Sequence, residues 1–253
     1  MQKKRPFERA FLPARIIRSR ARHWYYRAIW GQYCPDPKQI TWIKTSSIAW
    51  KKEPIYGDSR RLGTTITGGD WDLLARSDIV DYDHAGPTVE GLIRVEEFQL
   101  YKAIGQMIQH GVEWQNTDVY RNRLYSQIRS LEKLESEGRK IEDLIVSIRE
   151  RGVVPQSVLR PNRSRIREWL LPSVYGEIRV AIGRAGDIFL EDGVHRFFIA
   201  KALGISKIPV RVILRHERWQ ETRARCMKES ERGSVFGKGP VEDHPDLVFG
   251  GRA

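Results

Sequence analysis

The residues Glu191-Asp192-Gly193-Val194-His195-Arg196 put two carboxylates, a glycine, an imidazole and a guanidinium in six consecutive positions. The segment before them, Asp187 to Leu190, reads as a strand. The spacing after them predicts a helix over Val194 to Leu203 with Gly204 at its C-terminal cap. A strand that passes through a glycine straight into a helix exposes the unpaired N–H groups of the first helical turn. Those groups and the positive end of the helix dipole favour an anion. Gly193 would let the backbone approach such an anion closely. His195 and Arg196 are electrostatically disfavoured at a helix start, and a bound phosphate would offset that cost. The chemistry implied is phosphate binding by Gly193, Val194, His195 and Arg196. Glu191, Asp192 and His195 are the candidate catalytic groups beside it, and one of the two acids could hold ribose or a metal. The architectural alternative pairs Arg196 with Glu191 or Asp192 and packs His195.

Three further groups have the residue types for a role. Asp70 and Asp72 flank Trp71 in a polar turn. They are either a Mg²⁺ pair near the phosphates, since Mg²⁺ takes one or two carboxylates plus phosphate oxygens, or turn-capping aspartates. Arg215-His216-Glu217-Arg218-Trp219-Gln220 could line the same pocket with a stacking tryptophan, or could be a solvated helix start with Trp219 packed on the sheet. Arg160, Arg163, Arg165 and Arg167 could bind phosphates, or form a solvated face.

The elements that must position these residues follow from periodicity and punctuation. Ile40 to Lys44 reads as a strand. Helical spacing starts at Val95 and stops at Gly111, and a second helix is expected from Asn116 or Thr117 through Leu134. A third runs from about Ile141 to Arg151, ended by Gly152. Val153 to Leu159 reads as a short strand. Ile178 to Ile182 and Asp187 to Leu190 make a hairpin around Arg184-Ala185-Gly186, and Ile208 to Leu214 is a buried strand. The expectation is an α/β fold: residues 39–220 as one domain with a small mixed sheet, packed helices and a helical insertion over about 92–140. Residues 1–38 form a basic aromatic arm, and residues 221–253 a mostly disordered tail, from which His244-Pro245-Asp246-Leu247 could dock back.

The formal net charge is +12, with a pI near 9.8, which points to an anionic partner. Nine bases precede Gly31 against the single acid Glu8, so most of the excess sits in the arm. Arg15, Arg18, Arg20, Arg22 and Arg27, with Trp24, Tyr25, Tyr26 and Trp30 among them, could contact nucleic acid or an anionic membrane surface. The aromatics could equally pack on the domain. Cys34 and Cys226 are far apart and make no disulfide framework or zinc site. No apolar run approaches the ~20 residues of a membrane span, and the N-terminus lacks the pattern of a secretory signal. The expected location is cytoplasmic, or peripheral at the membrane through the arm.

The Gly193 element resembles the second signature of the ParB/sulfiredoxin superfamily. ParB proteins carry Gly-Glu-Arg-Arg there, sulfiredoxins Gly-Cys-His-Arg, and free-serine kinases of the same fold Gly-His-Thr-Arg. Gly193, Arg196, Ala200, Gly204 and Ile208-Pro209-Val210 fit the shared skeleton. Ile141 to Pro155, with Ser147 and Gly152, resembles the family's preceding helix and strand, and Ile43 to Ile48 its first strand and turn. The resemblance implies binding of a nucleoside triphosphate, ATP or CTP, with Mg²⁺, followed by hydrolysis or phosphoryl transfer. The alternatives are a nucleic-acid-binding module or nuclease of the ParB type, and a membrane-surface adaptor. Val194 stands where sulfiredoxins carry their reactive cysteine, so that chemistry has no nucleophile here. No helix-turn-helix domain is expected after Gln220, and the helical insertion is extra to the family.

Overall fold

Apolar residues at alternate positions of Ile178–Ile182, Ile188–Asp192 and Lys207–His216 build the centre of one mixed sheet. In the computed structural model the residues described are 12–53, 64–74, 76–77, 82–83, 86–87, 91–121, 130–159, 176–232 and 243–247. In chain order they form α1 (Leu12–Trp30), β1 (Thr41–Lys44), β2 (Trp50–Glu53), β3 (Thr65–Thr67), β4 (Arg76–Ser77), β5 (Tyr82–Asp83), β6 (Gly86–Pro87) and β7 (Gly91–Arg94). These are followed by α2 (Gln99–His110), α3 (Asp118–Arg121), α4 (Leu131–Arg151), α5 (Gln156–Leu159), β8 (Ile178–Ile182), β9 (Ile188–Asp192), α6 (Val194–Ala202), β10 (Lys207–His216) and α7 (Glu217–Glu231). The sheet order is β1-β10-β8-β9-β2-β7-β4, with β3 also on β10, and β5 pairs separately with β6. β10 is antiparallel to β1 and parallel to β8. The fold class is α/β, as the alternation of strands and helices implies.

One face of the sheet carries Ile178, Val180, Ile182, Ile188, Leu190, Ile208, Val210 and Val212, and α2, α4 and α6 cover it. α6 is enclosed, with Phe197, Phe198, Ile199 and Ala200 almost fully buried. Four consecutive buried residues cover most of the helix circumference at 100° per residue, which places α6 between layers. Its end follows the glycine rule: Gly204 is left-handed at φ +71, and the Ile205 N–H reaches back to the Ala200 carbonyl at 2.9 Å.

Several sequence expectations are corrected. The helix expected from Asn116 through Leu134 is not one element. Thr117 starts the short α3, accepting from the Tyr120 N–H at 3.3 Å, but Ser130 then caps a new helix through the Lys133 N–H. Ser130 breaks the run because a β-region residue with a hydroxyl satisfies the helix start. Leu131 and Leu134 therefore belong to α4, which begins ten residues before the expected Ile141. At the start of the insertion expected over about 92–140, Gly91–Arg94 form β7 between β2 and β4, and the helices come after it. Val153 to Leu159 is not a strand: Pro155 holds a helical φ, and its carbonyl accepts from Val158 and Leu159 as the one-turn α5 forms.

In its described part the segment after Gln220 is more ordered than expected, and Tyr26 of the arm packs on the domain, one of the alternatives the sequence left open. α7 carries the chain to Glu231, because Trp219, Gln220 and Arg223 face the domain and are buried. Beyond it, Leu247 is buried and Asp246 is enclosed, so the 243–247 segment docks. The arm of residues 1–38 is not separate in its described part. Tyr26 bonds both the carbonyl (2.8 Å) and the N–H (2.9 Å) of Ile66, and the Tyr33 carbonyl accepts from Gln220 and Arg223.

Gly138, in the middle of α4, yields a prediction. A Cβ there would lie 2.1 Å from Trp114 Cδ1. Trp114 is 1% exposed, and its indole N–H is bonded to the Leu134 carbonyl at 3.0 Å, so it has nowhere to move. Alanine gains about 1 kcal/mol of helix propensity, while overpacking costs about 1–3 kcal/mol. Gly138→Ala should therefore lower the urea midpoint; a raised midpoint would mean that Trp114 yields.

Candidate functional site

The second face of the sheet differs in kind from the first. Alternation places Arg211 of β10, Arg179 of β8, Glu191 of β9 and Lys52 of β2 on this face, on four successive strands. All four are buried, at 5%, 4%, 1% and 0% exposure. Their same-face neighbours two residues along, Ile213, Ala181 and Phe189, belong to a small apolar cluster with Trp71, Leu92 and Leu214, against which Trp50 packs. A charged row therefore crosses the sheet beside an apolar patch. Arg179 and Arg211 are register partners on parallel strands; burial lowers the Arg211 pKa, and Glu177 and Asp36 oppose that shift.

The row leads into the β9–α6 junction. Lys52 Nζ lies 3.7 Å from Glu191 Oε1. Burial lowers the Lys52 pKa and raises that of Glu191, while their mutual attraction opposes both shifts. Arg179 pairs with Asp192, whose other oxygen accepts the Gly193 N–H at 2.6 Å. Asp192 is 38% exposed, so the row reaches the surface here. Gly193 is left-handed at φ +80, and a Cβ would meet the Glu177 carbonyl and Ile178 Cα at 2.8 Å. Only glycine lets β9 turn into α6 this close to the start of β8.

Arg196 lies in the first turn of α6, but its guanidinium points into the protein. It donates to the carbonyls of Gly176 and Val154 and lies 3.5 Å from Glu177 Oε2. Burial lowers its pKa and Glu177 raises it. Glu177, itself 1% exposed, accepts the Gln156 N–H at 2.8 Å. Arg196 thus ties the chain before β8 to the chain before α5. Its partner is Glu177, not Glu191 or Asp192 as the architectural alternative had it. His195 faces α4, with Nε2 3.4 Å from Glu137 Oε1, and burial lowers its pKa against the pull of that carboxylate.

Asp70 and Asp72 are brought together, but not beside Gly193. Arg184 in the β8–β9 turn holds Asp70 at 2.7 Å and Asp72 at 2.8 Å, and the Arg184 N–H donates to Asp72 at 2.6 Å. Burial would raise the Asp72 pKa, and these hydrogen bonds reverse that to a net lowering. The turn and Gly193 are at opposite ends of β9, roughly 20 Å apart from Asp187 to Gly193 at 3.3 Å per residue. The pair does not fit a phosphate-bound Mg²⁺, and the turn-capping alternative describes it. Among the described residues no cluster of three or more His, Cys, Asp or Glu could hold a metal.

Arg215 and Trp219 are also structural. Both are about 1% exposed, and both bond Asp246. Of the arm residues, Arg18 and Arg27 are exposed and Arg20 and Arg22 half-buried. Arg20 and Arg27 line a cleft of about 550 Å³ with His23 and Cys34. The side chains of Arg15, Arg160, Arg163, Arg165 and Arg167 lie outside the described residues.

Sequence reasoning singled out Glu191, Asp192 and Gly193 of this row and its end, but not Lys52, Arg179 or Arg211. The signal was present: a charged residue at an inward-alternating position of an otherwise apolar strand, as in Val210-Arg211-Val212 and Ile178-Arg179-Val180. Comparison with family models, with curated proteins and with solved structures returned no match to this chain.

Proposed function

We propose that this protein binds the phosphates of a nucleoside triphosphate, ATP or CTP, at the β9–α6 junction and along the adjoining charged row, and hydrolyses it or transfers its phosphoryl group. The observation that carries this reading is the row of buried cations Arg211, Arg179 and Lys52 on neighbouring strands, which reaches the surface at Asp192 beside the glycine that opens α6. At the exposed end of the row the N–H groups of the first α6 turn would add donors for an anion to the nearby cations. Phosphoryl transfer asks mainly for positioning and charge stabilisation. In this reading Glu191, next to Lys52 and with a raised pKa, takes a proton from the attacking hydroxyl or water. Arg196 acts here as a positioning residue, since it secures the backbone on which Gly193 rests. The ParB/sulfiredoxin resemblance of Gly193, Arg196, Gly204 and Ile208-Pro209-Val210 points the same way and is part of the proposal.

The test is a nucleotide panel read by thermal unfolding, with and without Mg²⁺. A ligand at a hundredfold excess over its Kd adds about 2.7 kcal/mol, which for a chain of this size raises Tm by roughly 5–10 °C. Val194→Asp is the discriminating variant. A carboxylate in the first turn suits the helix dipole but repels phosphate. Its nucleotide affinity should fall about tenfold, or ~1.4 kcal/mol. A panel in which no nucleotide moves Tm, or a folded Val194→Asp protein that responds like the parent, would overturn the reading.

A further inference from the structure

The structure gives α1 two faces of opposite use. At 100° per residue, Ser19, His23, Tyr26 and Trp30 share the side turned to the domain, and all are buried or half-buried. On the other side Ile17, Ala21, Trp24, Tyr25, Ala28 and Ile29 fall in one arc of roughly 140°. Every one of them is exposed. Trp24 is 74% exposed, Ile17 67% and Tyr25 62%. Arg20 and Arg27 border one edge of the arc and Arg22 the other, and the exposed Arg18 falls within it, between Tyr25 and Ile29. The helix is therefore amphipathic outward: one face anchors it through the Tyr26–Ile66 bonds, and the opposite, apolar face has no described cover.

We infer that α1 is a docking face for an anionic lipid surface, on which the helix lies in the membrane plane. Three features select this occupant. An apolar stripe with Trp and Tyr among arginines matches the layered chemistry of a lipid interface, where rings sit at headgroup depth and guanidiniums meet headgroup phosphates. Nucleic acid would engage the arginines but leave Ile17, Ala21, Ala28 and Ile29 in water. A second copy of this chain, paired face to face, would set Arg18 and Arg27 against their own kind, since a two-fold interface repeats each patch. No helix among the described residues is long and apolar enough to cross a membrane, so the contact is peripheral. It does not rest on the nucleotide reading, and its readouts are separate.

The experiment is co-sedimentation of the full chain with phosphatidylcholine vesicles and with vesicles that also contain phosphatidylglycerol. The protein should sediment with the second and barely with the first, and added salt should weaken binding as the arginines are screened. The Ile17→Ser/Trp24→Ser double variant alters only exposed side chains and should keep its melting temperature. Its affinity should fall about tenfold or more, because binding scales with the apolar area inserted. Arg18→Gln/Arg27→Gln should bind less tightly and with a shallower salt dependence. The inference fails if the parent ignores anionic vesicles or if the double serine variant binds them equally well. It also fails if the parent is a dimer that the double variant abolishes, or if oligonucleotides bind in a Trp24-dependent way.

Discussion

Replacing Asp246 with alanine should destabilise the protein by about 3–5 kcal/mol, the range for breaking a buried ion pair from one side. Asp246 is 1% exposed and accepts from Arg215 Nε (2.9 Å), Arg215 Nη2 (2.5 Å) and Trp219 Nε1 (3.0 Å). Arg223 Nε lies 3.6 Å away and also bonds the Asp246 carbonyl. Without the carboxylate, Arg215 stays buried beside Arg223. Burial, with some repulsion from Arg215, already pushes the Arg223 pKa down to about 10. The loss has a ceiling, because the 243–247 segment can undock and admit water. Hydrogen exchange that rises only around Arg215, Trp219 and the end of α7 would show undocking, while a lowered global midpoint would show that docking and folding are one event. Either result combined with a total loss below ~1 kcal/mol would mean that the cluster is not a clamp.

The same site gives the fold an acid limit. Burial would raise the Asp246 pKa, but Arg215 and Arg223 bring it below the ordinary carboxylate value. The folded chain therefore holds fewer protons than the unfolded chain as pH falls through ~4, and stability is lost there. His244 adds an earlier step. Its Nδ1 accepts the Asp246 N–H, and its Nε2 is bonded to the Gly186 carbonyl. Burial lowers its pKa, so stability starts to fall once pH drops below ~6.5. Asp246→Asn should flatten the branch near pH 4.

Stability should also rise on the alkaline side, by as much as ~4 kcal/mol between pH 7 and pH 10.4. The cause is Lys51, which points into the helix-covered face and is 5% exposed. Its Nζ lies 5.4 Å above the Phe98 ring. Burial pushes its pKa down to about 7; Glu191 opposes the shift and Lys52 adds to it. In that window the unfolded chain keeps a lysine proton that the folded chain has released, so raising pH favours the folded state. Lys52 contributes in the same direction. Glu191 works the other way at lower pH, since its raised pKa means the folded chain holds the extra proton. Lys51→Met should remove the part of the rise that begins near pH 7, and should stabilise the protein at neutral pH. Urea midpoints at several pH values measure both. Parallel profiles for the parent and the Lys51→Met protein would place the titrating group elsewhere.

The sequence by itself determined the elements whose signals are local. The β8–β9 hairpin, α6 with Gly193 before it and Gly204 after it, and the buried β10 were all legible. Each is marked by alternation or by a glycine whose left-handed backbone no neighbour has to explain. The basic, aromatic character of α1 was equally plain. The tertiary structure alone decided what the charged residues face. Arg196 has the position of a phosphate ligand in a linear reading, yet Glu177 and two carbonyls brought in from other segments take its donors. Asp70 and Asp72 read as a metal pair until the β8–β9 turn sets Arg184 between them. Arg179, Arg211, Glu191 and Lys52 are scattered along the chain and become one row only because β10, β8, β9 and β2 are neighbours in the sheet. Which face of α1 is docked follows from Ile66, forty residues away from Tyr26. A side chain's partners are set by strand order and register, which depend on long-range pairing, whereas periodicity and capping report only on residues a few positions apart.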